Sequence, residues 1–136
     1  FTADGGPGNG GAIHVTGPGS NNITGGSADS NIAANEGGGF WNGSGTMIIA
    51  NVTINANEAN GDDSGASGGG GIFNEGGIVT TDINTTITEN IATAGASGSG
   101  GGVLVAGGTF TATVTVISNN SANRAGGGIE VRNRIY

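Results

Sequence analysis

The chain has 136 residues, of which 32 are glycine, two are proline and none is cysteine, and its formal net charge is −7. The missing cysteines exclude disulfide frameworks, thiolate metal sites and cysteine nucleophiles together. With no lysine, and with Arg124, Arg132 and Arg134 as the sole cations, there is no positive footprint for nucleic acid or for an anionic membrane surface.

Glycine does not recur at every third position and proline is scarce, so the glycine content is not collagen-like. Charged residues are only 10%, and Ile, Val and Thr come in clusters, which is not the composition of a disordered linker. No apolar run approaches the ~20 residues of a membrane-spanning helix, so no direct membrane span is expected. Residue 1 is Phe and no signal peptide is visible, which reads as a processed chain or a piece of a longer one.

Along the chain a Gly-Gly pair followed by an apolar residue recurs. It stands at Gly10-Gly11-Ala12, Gly38-Gly39-Phe40, Gly70-Gly71-Ile72, Gly101-Gly102-Val103 and Gly127-Gly128-Ile129, with spacings of 28, 32, 31 and 26 residues. Between these marks lies a second element, apolar-x-x-Asn, followed two residues on by Ala. It reads Ile54 to Asn57, Ile87 to Asn90 and Ile117 to Asn120, and Asn31 fits it with Ala28 in the apolar place. Repeats of this length indicate a solenoid. Gly-rich segments with Thr, Val and Ile form poor helices, and a single leucine, Leu104, excludes a leucine-rich repeat.

The expected fold is therefore all-β: a single-stranded right-handed parallel β-helix over residues 1–136, with about four full coils and a partial one. Its coils start near residues 10, 38, 70, 101 and 127, and each holds two or three short strands. Equivalent residues would stack about 4.8 Å apart. Asn31, Asn57, Asn90 and Asn120 would form one corner, each amide bonding those above and below it. Length varies just before the Gly-Gly marks, where a solenoid tolerates insertions.

The alternation of Gly-Gly-Ala-Ile (Gly10 to Ile13), or Gly-Gly-Gly with Phe, Val or Ile, with apolar-x-x-Asn resembles the polymorphic outer-membrane proteins, a group of autotransporter adhesins. It is similar also to secreted β-helix repeat surface proteins. The likeness covers residues 10 to 131, with Ile in place of the family's Phe in the second motif. It implies a right-handed β-helix displayed outside the cell, and right-handedness agrees with the preference of parallel crossovers. The fold it implies hosts many functions.

Strand alternation supplies the sharpest functional expectation. With Ile13, Phe40, Ile72, Val103 and Ile129 inward, His14, Trp41, Phe73, Leu104 and Glu130 point outward. Trp41, Phe73 and Leu104 would then form an exposed apolar ladder, a contact surface for a neighbouring protein or a sugar. The structural alternatives are that the long corner segments fold over this strip, or that Trp41 is the inward residue in its coil. Sequons at Asn22, Asn42, Asn51, Asn84 and Asn119 would accept N-glycosylation, though their number scarcely exceeds chance and several suit corners. Asp62 and Asp63 are a hard-oxygen candidate for Ca²⁺, against the plainer reading of a solvated acidic loop.

No catalytic set is expected, because the acids scatter among corners, His14 is the only histidine and the arginines lie within residues 124 to 134. No cofactor is expected either. The run from Thr109 to Thr115 raises ice binding. However, counting back from apolar-x-x-Asn gives the columns Val52, Thr85, Thr115 and Ile48, Thr81, Thr111, each broken in one coil, so a Thr-rich exposed strand is the ordinary explanation. The expected role is an extracellular or cell-surface stalk, fibre or adhesin segment, or alternatively a carbohydrate-binding or carbohydrate-active β-helix using the aromatic ladder. Partners would be further copies end to end, neighbouring surface proteins or glycans.

Overall fold

A computed structural model describes residues 8–61, 67–93 and 98–132. The chain winds as a β-solenoid of about four turns with no helix among the described residues. Each turn contributes four short strands rather than the expected two or three. The first turn holds β1 (Ile13–Val15), β2 (Ser20–Thr24), β3 (Ser27–Asp29) and β4 (Ile32–Ala33). The second holds β5 (Phe40–Asn42), β6 (Thr46–Ala50), β7 (Thr53–Asn55) and β8 (Glu58–Ala59). The third holds β9 (Ile72–Asn74), β10 (Ile78–Asp82), β11 (Thr85–Thr88) and β12 (Ile91–Ala92). The fourth holds β13 (Val103–Val105), β14 (Thr109–Ala112), β15 (Thr115–Ser118) and β16 (Ser121–Ala122), and β17 (Ile129–Val131) opens a fifth.

Stacking these turns yields four wholly parallel sheets: β1-β5-β9-β13-β17, β2-β6-β10-β14, β3-β7-β11-β15 and β4-β8-β12-β16. Each short strand pairs only with its equivalents one turn away, so register is repeated from coil to coil. Ile13 stands beside Phe40, then Ile72, Val103 and Ile129. In the first coil this places Gly10 against Gly37, because the N–H groups of Gly10 and Gly11 bond the carbonyls of Glu36 and Gly37. The first Gly-Gly mark thus falls one residue early relative to the others.

The bends explain the glycines. Gly10, Gly37, Gly69, Gly100 and Gly126 hold φ between +60° and +66°, a left-handed conformation that costs other residues energy. Another corner adopts the same conformation without glycine: Ser30, Ala56, Glu89 and Asn119 have φ from +52° to +57°. That strain, of order 1–2 kcal/mol each, is offset by the residues that follow them, which form the asparagine ladder.

The interior is filled by alternate strand residues. Phe40, Met47, Ile49, Val52, Ile54, Ile72, Val79, Ile87, Val103 and Val105 form one buried apolar column. In the first coil Gly26 and Ala28 stand where Val52 and Ile54 stand in the second. The missing volume leaves an apolar depression of about 310 Å³ bordered by Ile13, Ile23, Ala28, Phe40 and Val52.

Candidate functional site

Four features were candidates for function: the corner asparagines, the outward ladder, the sequons and the Thr-rich strands. The asparagine ladder is built as expected. Asn31 Nδ2 donates to Asn57 Oδ1 at 2.8 Å, and Asn57 to Asn90 and Asn90 to Asn120 in the same way at 2.9 Å each. Each Oδ1 also accepts the backbone N–H of the asparagine one coil earlier, at 2.9–3.0 Å. The second amide hydrogen returns to the strand, from Asn57 to Ala28 O, Asn90 to Ile54 O and Asn120 to Ile87 O. Asn31, Asn57 and Asn90 are fully buried. The ladder consumes the hydrogen-bonding capacity of its amides, so its chemistry is structural.

The outward column exists in the expected register, His14, Trp41, Phe73, Leu104 and Glu130 side by side on successive coils. It is not an exposed surface. Trp41, Phe73 and Leu104 are 7%, 2% and 0% exposed, and with Ala106 they make a second apolar cluster distinct from the interior. The rings of Trp41 and Phe73 stack at 6.1 Å with planes 7° apart, and His14 lies over Trp41 at 4.3 Å.

The reason lies in the corner glycines. A Cβ on Gly37 would lie 3.1 Å from Trp41 Cβ, one on Gly69 3.0 Å from Phe73 Cα, and one on Gly100 2.8 Å from Leu104 Cα. The chain thus turns back against the outer side of the first sheet just before each first strand. Residues there form a stack of their own, with Asn9 bridged to Glu36, Gly68 to Ser99 and Ser99 to Ala125. Glu36 Oε2 accepts the indole N–H of Trp41 at 3.1 Å. The strip is a second spine between two layers, and the expectation of an aromatic contact surface is corrected accordingly. At its far end Glu130 is flanked by guanidinium groups: Arg124 Nη2 donates to Oε1, and Arg132 Nε lies 3.5 Å from it.

Among the sequons, Asn22, Asn51, Asn84 and Asn119 are exposed, and the last three hold φ near +56° at corners. Asn42 is fully buried and both amide hydrogens are engaged, by Gly45 O and by Asn74 Oδ1. A glycan on Asn42 is incompatible with this fold. Asn42 and Asn74 constitute a second, shorter asparagine ladder that the sequence reading missed; Asn74 Nδ2 in turn donates to Gly77 O and Thr109 O. The signal was present as Phe40-Trp41-Asn42 and Ile72-Phe73-Asn74. Asp62 and Asp63 lie outside the described residues.

Of the two columns counted on the sequence, Val52, Thr85 and Thr115 stand in register, and the other is off by one residue in the third coil, where Thr80 and not Thr81 stands beside Ile48 and Thr111. Val52 and Thr85 are buried, so that column faces inward, where Thr85 Oγ1 donates to Asp82 O. The third coil carries one more residue in its corner, at Ile83 and Asn84, which shifts the count by one. The true outer columns of the second sheet are Ser20, Thr46, Ile78, Thr109 and Asn22, Ile48, Thr80, Thr111. On the third sheet they are Ser27, Thr53, Thr86, Val116 and Asp29, Asn55, Thr88, Ser118. Among the described residues no group of three or more His, Asp or Glu side chains gathers at one place. Comparison with protein-family models, with curated proteins and with solved structures returns no match to this chain.

Proposed function

We propose that this chain is a structural or adhesive β-solenoid segment, working outside the cell as part of a surface stalk or fibre and without catalysis. The observation that carries the reading is the use made of its polar and aromatic side chains. The buried asparagines tie coil to coil, the aromatic strip clamps a covering layer to the first sheet, and among the described residues the acids are spread out, with no group of three or more at one place. A rod stiffened by two spines suits holding things apart or together. The likeness of its repeat to the autotransporter adhesins belongs to the same reading. The carbohydrate alternative loses its support, because the rings that would stack on sugars are buried.

Electron microscopy of the native material, paired with intact mass, tests the proposal. Rods or fibres, or a surface-displayed polypeptide that includes these coils, agree with it. A soluble intracellular particle, or turnover of a polysaccharide by the purified chain, overturns it.

A further inference from the structure

In a chain of net charge −7, one broad part of the surface is kept almost free of charge. Every outward position on the strands of the second and third sheets is Ser, Thr, Asn, Ala, Ile, Val or Asp, and only Asp29 and Asp82 are ionisable. The two sheets and the corner between them display aliphatic groups to solvent: Ile48 is 39% and Ile78 49% exposed on the second sheet, Ile83 and Val114 lie at the corner, and Val116 is on the third sheet. Exposed apolar side chains gathered on adjoining faces mark something that covers them.

The chemistry of the face selects its occupant. A protein partner would be anchored by aromatic residues or arginine, and a sugar by an aromatic platform, and neither occurs there. What does occur is a mixture of hydroxyls, amides and methyls, and the Thr, Ile and Val among them are β-branched, stiff at χ1 and therefore ordered before any contact. Parallel in-register stacking repeats them at the strand spacing of about 4.8 Å. Two waters bonded to a common third at the tetrahedral angle, each bond about 2.8 Å long, stand about 4.6 Å apart. Stacked hydroxyls such as those of Thr53 and Thr86, or of Thr80 and Thr111, can therefore hold waters at nearly the second-neighbour distance of tetrahedral water. The methyls between columns disfavour disordered liquid water.

We propose that the outer faces of the second and third sheets, which meet at the corner of Gly25, Asn51, Asn84 and Val114, adsorb to ice. The inference does not depend on the scaffold reading, because the face lies on complete coils and uses none of the residues of the spines. The purified chain should slow recrystallisation in a thin frozen film and shape ice crystals grown near the melting point. Thr53→Lys and Thr80→Lys together place two flexible cations in the array. They should raise the concentration needed by at least about tenfold, equivalent to about 1.4 kcal/mol of adsorption, with the thermal melt unchanged. Asn22→Lys, on the exposed end of the same face, is the second variant should the pair fold poorly, and should weaken adsorption in the same sense. Ile91→Lys, on the fourth sheet, is the control and should leave adsorption intact. A wild-type chain without effect on ice overturns the proposal. So does an effect that survives in the folded lysine variants, or that Ile91→Lys abolishes equally.

Discussion

Replacing Asn90 by aspartate probes the corner ladder at its centre. Oδ1 of Asn90 accepts the backbone N–H and Nδ2 of Asn57, both at 2.9 Å, and its Nδ2 donates to Ile54 O and Asn120 Oδ1, again at 2.9 Å. In Asn90→Asp the second carboxylate oxygen faces those two acceptors, so two hydrogen bonds become two repulsions at a fully buried site. Burial and the facing oxygens disfavour the ionised form, and the folded pKa of the introduced carboxyl rises above its unfolded value of about 3.9. The folded state then binds the proton more tightly than the unfolded state. The variant is most stable below the unfolded pKa, loses stability as pH rises toward the raised folded value, and stays low above it.

Two lost hydrogen bonds at roughly 1–3 kcal/mol each, together with the cost of burying charge, put the loss near neutral pH at about 4 kcal/mol. That is a large share of the roughly 5–15 kcal/mol by which domains are stable. Asn90→Ala leaves the two Asn57 donors without their acceptor and should cost about 3 kcal/mol with no added pH dependence. Urea unfolding followed by circular dichroism, at about pH 4 and about pH 7 with the wild type subtracted, reads both quantities. An aspartate variant within about 1 kcal/mol of wild type at neutral pH, or a loss equal at both pH values, would refute the reasoning.

Val114 sits at φ +46° with its side chain 68% exposed, in a corner column otherwise occupied by Gly25, Asn51 and Asn84. Val114→Asn should raise stability by about 1 kcal/mol, read as a higher melting temperature, since strain is relieved and no packing is lost. A Cβ on Gly70 would lie 2.5 Å from the carbonyl oxygens of Gly101 and Ile91, whereas one on Gly76 meets nothing within 4 Å. Gly70→Ala should cost at least about 3 kcal/mol and Gly76→Ala less than about 0.5 kcal/mol, compared by the same unfolding curves. The single tryptophan should show blue-shifted emission and weak quenching by acrylamide, where an exposed ladder would be quenched strongly. Phe73→Ala, which removes the ring stacked on Trp41, should cost about 3–5 kcal/mol and make the indole quenchable.

The sequence by itself determined whatever repeats from coil to coil. The Gly-Gly marks, the apolar-x-x-Asn element and strand alternation were enough for a parallel β-solenoid, for the ladder of Asn31, Asn57, Asn90 and Asn120, and for the column that holds Trp41, Phe73 and Leu104. These are legible because a stack copies the same local conformation once per turn, so a three-dimensional neighbour becomes a periodic one. Which side of a sheet is wet is a different kind of fact. The aromatic column points outward as its alternation requires, yet it is buried, because left-handed glycines at Gly37, Gly69 and Gly100 carry the incoming chain across it. That crossing has no period in the strand itself. The column counted as Ile48, Thr81 and Thr111 was misaligned for a similar reason: one added residue beside Ile83 changes the count without disturbing any strand, and only the hydrogen-bonded register reveals it. Local pattern fixes what repeats; where the irregular corners pass, and so which surface remains for function, is decided by tertiary packing alone.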